Sequence, residues 1–302
     1  MRRKVNKVGQ NTLTLSLPNK WVKEQNIKKG DELEVKINQN QLCISKDEET
    51  ALPQKEISIN LTEADKTIVR SILGAYYQKG YDLIRVTFED DKIFKAIKEA
   101  VNTLIGFEIV DRTSNNCVIK SYLMEAPEEL SNVMNKLINI TKTLQQMVKE
   151  DYINGKYERL EDIEEYRFSG WKLRDLSMRI ISKKNISRES KHEYLTLLWT
   201  LEKINRNYKR LYCALKDNNF KKNQKILVYY DKVSEFYDFF SRCLLKKDVK
   251  NSEHINKEHD KLVKEAFEIL EGLKKDSIIM TYLLENVRRM QDMASPIVMI
   301  NY

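Results

Sequence analysis

The sequence predicts a multidomain, mainly α-helical protein with a small β-rich module in front and a compact α/β domain before the helices. Three observations carry this prediction. Glycine and proline are scarce, 8 and 4 in 302 residues, and so few turn formers favour helices over long loops. Near the N-terminus apolar and polar residues alternate, which is typical of strands. From residue 127 onward the apolar spacing changes to three and four, which is typical of helices.

The first segment, residues 1–46, is predicted to be a β-rich module with one short helix. Residues 13–17 alternate leucine with threonine or serine, and residues 33–44 contain two further alternating runs separated by a polar turn. Pro18 stands where a helix over about residues 18–26 can begin, because proline is favoured in a first helical turn. A module of this size buries too little surface to be stable alone. We therefore expect an obligate dimer with interleaved strands.

Positive charge is concentrated in this module. Residues 1–46 contain ten Lys/Arg and four Asp/Glu, which is +6 of the net charge of +8. Residues 1–23 contain six basic side chains and no acid, whereas a solvated protein surface usually mixes both signs. Such an acid-free cluster is typical of a binding surface for a polyanion.

The order of motifs in this module resembles the AbrB/MazE/SpoVT family of swapped-hairpin DNA-binding domains. The resemblance rests on Arg3-Lys4-Val5 followed by Lys7-Val8-Gly9, on residues 13–18, and on the run Ile-Lys-Lys-Gly-Asp-Glu-Leu-Glu-Val at 27–35. It implies that two chains interleave into one β-barrel-like unit and present basic side chains to double-stranded DNA. The loop after Gly9 lacks the arginine that some members carry, so the resemblance implies no particular DNA sequence, although polar side chains there can bond phosphates or base edges. The predicted DNA-binding residues are Arg2, Arg3, Lys4, Lys7, Gln10, Asn11, Thr12, Lys20 and Lys23.

An acidic, proline-containing linker over residues 47–56 leads to a predicted α/β domain over residues 57–124. Strand and helix patterns follow there in the order βαβαββ, with Thr62 and Asp90 as predicted helix N-caps and a glycine ending each helix. The turn into the first helix has no glycine and carries two acids, which would repel a phosphate at the helix N-terminus. We therefore interpret this domain as a structural or sensory spacer.

Residues 127–217 and 219–302 are predicted to form a pair of three-helix bundles. Apolar residues recur at three–four spacing through both segments, and such helices pack at shallow angles as antiparallel neighbours. This half resembles the PhoU phosphate-signalling family, whose fold is a tandem pair of three-helix bundles. The order of parts over the whole chain looks like that of archaeal PhoU-related regulators. The resemblance implies a role in phosphate uptake, with a phosphate-transporter subunit or signalling protein as the partner of the bundles.

PhoU bundles often hold metal ions through paired acids one helical turn apart, and both matching runs here have lost one acid. Glu202 is followed by Arg206, and Asp292 is preceded by Arg288. Each pair has gained a cation that would repel a metal, so we expect no metal and no cofactor, and an ordinary salt bridge between Glu202 and Arg206. The aromatic residues expected to pack the bundle cores are Tyr194, Trp199, Tyr208, Tyr229, Tyr230 and Tyr237.

Other features exclude the enzyme and membrane classes. The three histidines are scattered, and neither a glycine-rich phosphate loop nor a nucleophile elbow is present, so no catalytic residue and no enzyme activity are expected. No apolar run approaches the roughly 18 residues that span a bilayer. The basic N-terminus is not followed by an apolar stretch. We therefore expect a cytoplasmic protein without membrane insertion, whose cysteines are reduced and mostly buried: Cys43, Cys117, Cys213 and Cys243.

Together these patterns predict a DNA-binding transcription regulator of phosphate homeostasis, with a homodimer formed through the N-terminal module. Two alternatives stay open. In the first, residues 1–46 only dimerise a PhoU-like adaptor that does not bind DNA, and their lysines keep it soluble. In the second, the protein is an antitoxin, since the same module occurs beside toxins. Two long folded domains in place of a short, unstructured toxin-wrapping tail argue against the antitoxin.

Overall fold

The computed structural model describes residues 3–9, 12–38, 41–46, 54–123, 129–183, 188–218, 220–246 and 252–301. The chain divides into two compact units, residues 1–54 and 55–302. Each unit is described by itself. Three predicted DNA-binding residues lie outside the described residues: Arg2, Gln10 and Asn11.

The first unit consists of two antiparallel hairpins and one short helix. Strand β1 (Val5–Val8) pairs with β2 (Thr12–Leu15), and β3 (Glu34–Asn38) pairs with β4 (Gln41–Ser45), in two separate sheets. Helix α1 (Asn19–Glu24) begins directly after a proline. No described residue of this unit is buried. A single copy of the first unit therefore has no core in its described part.

The second unit opens with a four-stranded sheet flanked by two helices. Its elements are β5 (Glu56–Asn60), α2 (Lys66–Gln78), β6 (Leu83–Thr87), α3 (Asp91–Val101), β7 (Phe107–Arg112) and β8 (Asn116–Ser121). The strand order in the sheet is β5-β6-β8-β7; β5 and β6 are parallel, and the other neighbours are antiparallel. The order along the chain is the βαβαββ that the sequence pattern predicts.

Both helices of this α/β part begin at aspartates. The side chains of Asp65 and Asp90 each accept a hydrogen bond of 2.8 Å from the backbone amide three residues further on, as N-caps do. Asp90 is the predicted cap. The predicted cap Thr62 is wrong, because its own amide donates to the Asn60 side chain at 3.0 Å in a turn that precedes the helix.

Seven helices follow in the described part of the chain. They are α4 (Glu129–Asn154), α5 (Leu160–Lys183), α6 (Arg188–Asn218), α7 (Gln224–Lys246), α8 (Ser252–Glu271), α9 (Ser277–Asp292) and α10 (Ala294–Asn301). Helices α4, α5 and α6 pack against one another, and so do α7, α8 and α9. The sequence predicts six helices; a seventh is present because the last one is interrupted at Met293, and α10 then packs against α6, α8 and α9. Among the described helices, none combines the length and apolar character that crossing a membrane requires.

Two apolar cores stabilise the second unit, one in the α/β part and one that runs continuously through the helices. Four of the predicted aromatic residues are fully buried in the helical core: Tyr208, Tyr229, Tyr230 and Tyr237. Tyr194 is partly buried at its edge. The prediction for Trp199 is wrong, because this side chain is 42% exposed and lies against the Arg174 guanidinium instead of apolar neighbours.

Candidate nucleic-acid interface

The predicted DNA-binding residues that the structure describes all lie on the surface of the first unit. Six of them are exposed: Arg3 and Lys4 before β1, Lys7 in β1, Thr12 at the start of β2, and Lys20 and Lys23 on α1. The structure thus presents five cations from one short stretch of chain to solvent. All five are exposed to more than a third of their surface.

The pairing of β1 with β2 determines the face of the sheet on which Lys7 lies. Lys7 stands opposite Leu13, and Val5 stands opposite Leu15. Residues that face each other across an antiparallel pair lie on the same face of the sheet, so Lys7 shares its face with apolar side chains. Just outside the strands, Arg3 Nη1 donates a hydrogen bond of 3.4 Å to the side-chain oxygen of Ser16. This bond holds Arg3 beside the end of the hairpin.

Helix α1 adds two lysines whose charges remain available. Lys20 lies 3.9 Å from Glu24 across one helical turn, and both side chains are exposed. An exposed pair of this kind is weak because water screens it. Lys23 lies in the last turn of the helix. We therefore expect both lysines to be available to bind a phosphate; Lys20 would only have to give up its weak contact with Glu24.

Beyond α1, Asp31 connects the turn before β3 with the end of β4. The Asp31 carboxylate accepts a hydrogen bond of 2.9 Å from the Lys28 amide, and Lys46 lies 3.6 Å from it. These two contacts lower the pKa of Asp31, the amide more than the lysine. Lys46 also donates to the carbonyl of Asn26 at 3.0 Å. Its ammonium group is therefore used in contacts within the unit. The exposed side chains of Lys28 and Lys29 were not predicted as DNA-binding residues, since acids follow them closely in sequence.

The same unit exposes apolar side chains on both of its hairpins. Six apolar side chains are between 50 and 70% exposed: Val5, Val8, Leu13, Leu15, Val35 and Leu42. Monomeric proteins rarely expose clustered apolar side chains, and such surfaces mark contacts with another chain. The first unit therefore combines exposed cations with an apolar surface suited to a protein partner.

Comparison with known proteins identifies part of this unit. Residues 7–50 match the family model described as antidote-toxin recognition MazE, bacterial antitoxin. The first unit carries a MazE/AbrB-type domain. The match covers the second hairpin, α1 and the first hairpin from Lys7 onward, and none of the α/β part or the helices; Arg3 and Lys4 precede it. No curated protein and no solved structure matches the chain.

The two runs that resemble PhoU metal-binding motifs place their arginines beside other side chains. Glu202 accepts a hydrogen bond of 2.5 Å from Arg206, which confirms the predicted salt bridge, but Glu202 is only 4% exposed. The pair is therefore not the ordinary surface salt bridge that was expected. The guanidinium of Arg288 lies over the ring of Phe267, 6.0 Å from its centroid. Within the described residues, no three His, Cys, Asp or Glu side chains come together as a metal site would require.

The three described thiols all belong to the second unit and are at least partly buried. Cys117 and Cys243 are buried, and Cys213 is partly buried. Burial raises the pKa of the Cys117 thiol to about 11, so it stays protonated at neutral pH. The side chain of Cys43 lies outside the described residues.

A buried cluster of charges in the second unit was not predicted from the sequence. Arg179 of α5 is fully buried and donates to Asp82 at 2.5 Å and to the carbonyl of Tyr81 at 2.6 Å. Lys183 donates to the same carboxylate at 2.6 Å. Burial raises the pKa of Asp82, but the bonds from Lys183 and from the Lys55 amide outweigh it, so the pKa lies below its usual value. The cluster ties α5 to the α/β part.

Proposed function

We propose that this protein is a cytoplasmic DNA-binding transcription regulator of phosphate uptake. In this proposal two MazE/AbrB-type domains pair and bind double-stranded DNA, and the helices form a PhoU-like regulatory region. The observation that carries the proposal is the first unit itself, which has exposed cations, exposed apolar strands and no buried residue in its described part. No enzymatic reaction and no cofactor is part of the proposal.

Pairing of the first units follows from their apolar strands. Complete burial of a leucine or valine side chain stabilises a fold by roughly 1.5–3 kcal/mol. Six such side chains are half or more exposed in one copy, and a second copy offers an identical set. The symmetric homodimer is the arrangement in which one surface patch can cover itself.

DNA binding is supported by the exposed cations of the same unit. Double-stranded DNA presents a dense row of phosphates, and each one neutralised by a lysine or arginine releases a counterion. A dimer doubles the five exposed cations of residues 3–23 and presents them with twofold symmetry. The match to the MazE family model supports the assignment of this surface.

Regulation is assigned to the second unit because it holds most of the folded chain. Its helices share one continuous core, and the buried charges around Arg179 tie them to the α/β part. In this proposal a phosphate-transporter subunit or a signalling protein binds the helices and changes the affinity of the paired MazE/AbrB-type domains for DNA. Such coupling is reciprocal, so DNA binding changes the affinity for the partner by the same factor.

A salt titration tests DNA binding by the full chain. We expect retention of duplex DNA at low salt, with log K falling linearly against log salt at a slope of about −0.9 for each phosphate contacted. The measurement is fluorescence anisotropy of a labelled random-sequence duplex. No retention at low salt, with an intact dimer, would contradict the regulator and leave the dimeric adaptor of phosphate-transport signalling.

Charge reversal locates the DNA-binding surface. The variant Arg3→Glu with Lys7→Glu is expected to lose DNA retention while it remains a dimer. A matched control is Lys92→Glu with Lys95→Glu, two exposed lysines of α3 in the second unit, which is expected to retain DNA normally. Equal retention by both variants would show that the wrong surface has been assigned.

Selection of bound fragments from genomic DNA then tests the regulated process. We expect fragments that lie upstream of phosphate-uptake genes. Fragments without any such genes would contradict the phosphate part of the proposal and leave the DNA-binding regulator standing.

The match to a family model for bacterial antitoxins favours antitoxin as a second candidate function. An antitoxin of this kind would purify in a stable complex with a small toxin encoded beside it. Isolation of the protein from its native cells, followed by mass spectrometry of co-purifying chains, distinguishes the two functions.

A further inference from the structure

Basic and aromatic side chains from α2, α5 and α6 meet on the second unit. Arg70 of α2 lies over the ring of Trp171 of α5, with its guanidinium carbon 3.5 Å from the ring centroid. Arg174 of α5 lies over the ring of Trp199 of α6 at 4.2 Å. Arg167, one turn before Trp171 on α5, is a close positive neighbour of Arg70. These five residues are named the arginine–tryptophan cluster.

The charges of the arginine–tryptophan cluster do not balance. Arg174 is buried and pairs with Asp175 at 2.5 Å, so its charge is compensated. Arg70 and Arg167 form no salt bridge with any described residue, although both are partly buried. Burial lowers the pKa of the Arg70 guanidinium, and the charge of Arg167 lowers it further; the nearby carboxylate of Asp175 raises it, but that carboxylate is already paired with Arg174. In addition, Arg70 Nε is buried and finds no hydrogen-bond partner in the described part of the chain.

A stacked arginine is not by itself a binding site, and the α/β part contains a useful comparison. Arg112 lies over the ring of Phe94 with its guanidinium carbon 3.7 Å from the centroid, much as Arg70 lies over Trp171. Arg112 also pairs with Asp91, so its charge is compensated. Stacking therefore explains the position of both arginines, but it does not explain why Arg70, unlike Arg112, has no salt-bridge partner among the described residues and shares Asp175 with Arg174.

We propose that the arginine–tryptophan cluster binds a phosphate group, either inorganic phosphate or the phosphate of a small monoester, with Arg70 and Arg167 as its ligands. Two guanidinium groups match a phosphate because each offers paired N–H donors to its oxygens. A phosphate monoester carries a charge of about −1.5 to −2 at neutral pH, which would neutralise both arginines, whereas a carboxylate would neutralise one.

The surroundings of the site supply two further reasons. The exposed ring of Trp199 gives a planar group on the same small molecule a surface on which to stack. Arg70 belongs to the α/β part and Arg167 to the helices, so a bound phosphate would bridge two parts of the second unit that already pack together. The proposal concerns the second unit alone and holds whether or not the first unit binds DNA.

Calorimetric titration of the full chain tests the site, with inorganic phosphate and adenosine monophosphate as separate ligands at constant ionic strength. We expect saturable binding that Arg70→Gln and Arg167→Gln each weaken about tenfold or more, because each removes charge-assisted hydrogen bonds. The matched control Arg112→Gln is expected to bind as the unchanged protein does. Thermal melting shows whether each variant is folded; if Arg70→Gln is not, Arg167→Gln decides alone.

The two ligands distinguish the two sources of phosphate. Tighter binding of adenosine monophosphate would assign the site to a monoester whose ring stacks on Trp199, and equal or weaker binding would assign it to inorganic phosphate. Three results would overturn the proposal: no saturable heat with either ligand, equal losses in Arg112→Gln and Arg167→Gln, or displacement of phosphate by duplex DNA in the Arg3→Glu, Lys7→Glu variant, which would make the cluster part of a nucleic-acid surface.

Discussion

The two units of this protein differ in where they keep their apolar and charged side chains. In the second unit the large apolar residues form two cores, and even charged groups such as Arg179 and Asp82 are buried with their partners. In the first unit no described residue is buried, and both apolar and basic side chains lie on the surface. A unit with its own core needs no partner to fold. If the first units pair as proposed, association would supply the stability that their described residues lack, and a symmetric pair would present the cations twice.

The largest expected effect tests whether association stabilises the first unit. The variant Leu13→Asp with Leu15→Asp places charges on two exposed leucines of β2. If pairing buries the exposed part of these side chains in both copies, about 4–7 kcal/mol of apolar burial is lost, taking 1.5–3 kcal/mol for a fully buried leucine and the 50 to 70% that one copy exposes. We expect a monomer by sedimentation equilibrium and loss of DNA retention, while the thermal transition of the second unit is unchanged.

A matched control for this variant is Val228→Asp, which charges an exposed apolar residue of α7 in the second unit. We expect it to remain dimeric and to retain DNA. A dimer that survives the double leucine variant would show that the apolar strands of the first unit are not the interface, and the comparison between the units would then fail.

The next effect in size tests the self-sufficiency of the second unit. Arg179→Ala removes a fully buried guanidinium that donates to Asp82 and to two backbone carbonyls. Removal of one partner from a buried charge pair typically costs about 3–5 kcal/mol. We expect the free energy of unfolding of the second unit, measured by urea denaturation, to fall by that amount, with dimerisation of the first unit preserved.

The matched control is Lys183→Ala, which removes the other cation bound to Asp82. This lysine is 16% exposed at its side chain, whereas Arg179 is not exposed at all. Because Arg179 would still neutralise the carboxylate, we expect a smaller loss. If the arginine variant unfolds at the same urea concentration as the unchanged protein, the buried cluster does not stabilise the contact between α5 and the α/β part.

The types and order of the elements follow from local patterns, and these could be predicted from the sequence. The alternation of residues 13–17 marks β2, and the three–four spacing marks the long helices, because side-chain periodicity depends only on near neighbours in the chain. The N-cap at Asp90 was predicted for the same reason. Thr62 was wrong by three residues because two candidate caps precede α2, and only the geometry of the turn decides between them.

Contacts between distant parts of the chain could not be predicted in this way. Arg179 meets Asp82 across 97 residues of sequence, and nothing in the helical spacing of α5 distinguishes a buried arginine from a solvated one. Trp199 was expected in the core as an aromatic residue of the helices, yet its ring lies at the surface beside Arg174. In the first unit, the motif order identified a MazE/AbrB-type domain, and the predicted cations that are described are exposed. Their contacts with DNA remain a prediction, because those depend on a second chain and a ligand.

The smallest expected effect is a difference in stability loss between two salt bridges of the same helical geometry, one with a buried carboxylate and one with an exposed carboxylate. Glu202–Arg206 and Glu285–Arg289 are both pairs across one helical turn, but the Glu202 side chain is 5% exposed and that of Glu285 is 38% exposed. Arg289→Ala removes a solvated pair and is expected to cost about 0.2–0.5 kcal/mol. Arg206→Ala leaves a buried carboxylate without its partner and is expected to cost about 1–3 kcal/mol. Equal losses in the free energy of unfolding, measured by urea denaturation, would mean that water reaches Glu202 once Arg206 is removed. The burial of Glu202 would then depend on Arg206 as much as on the surrounding core.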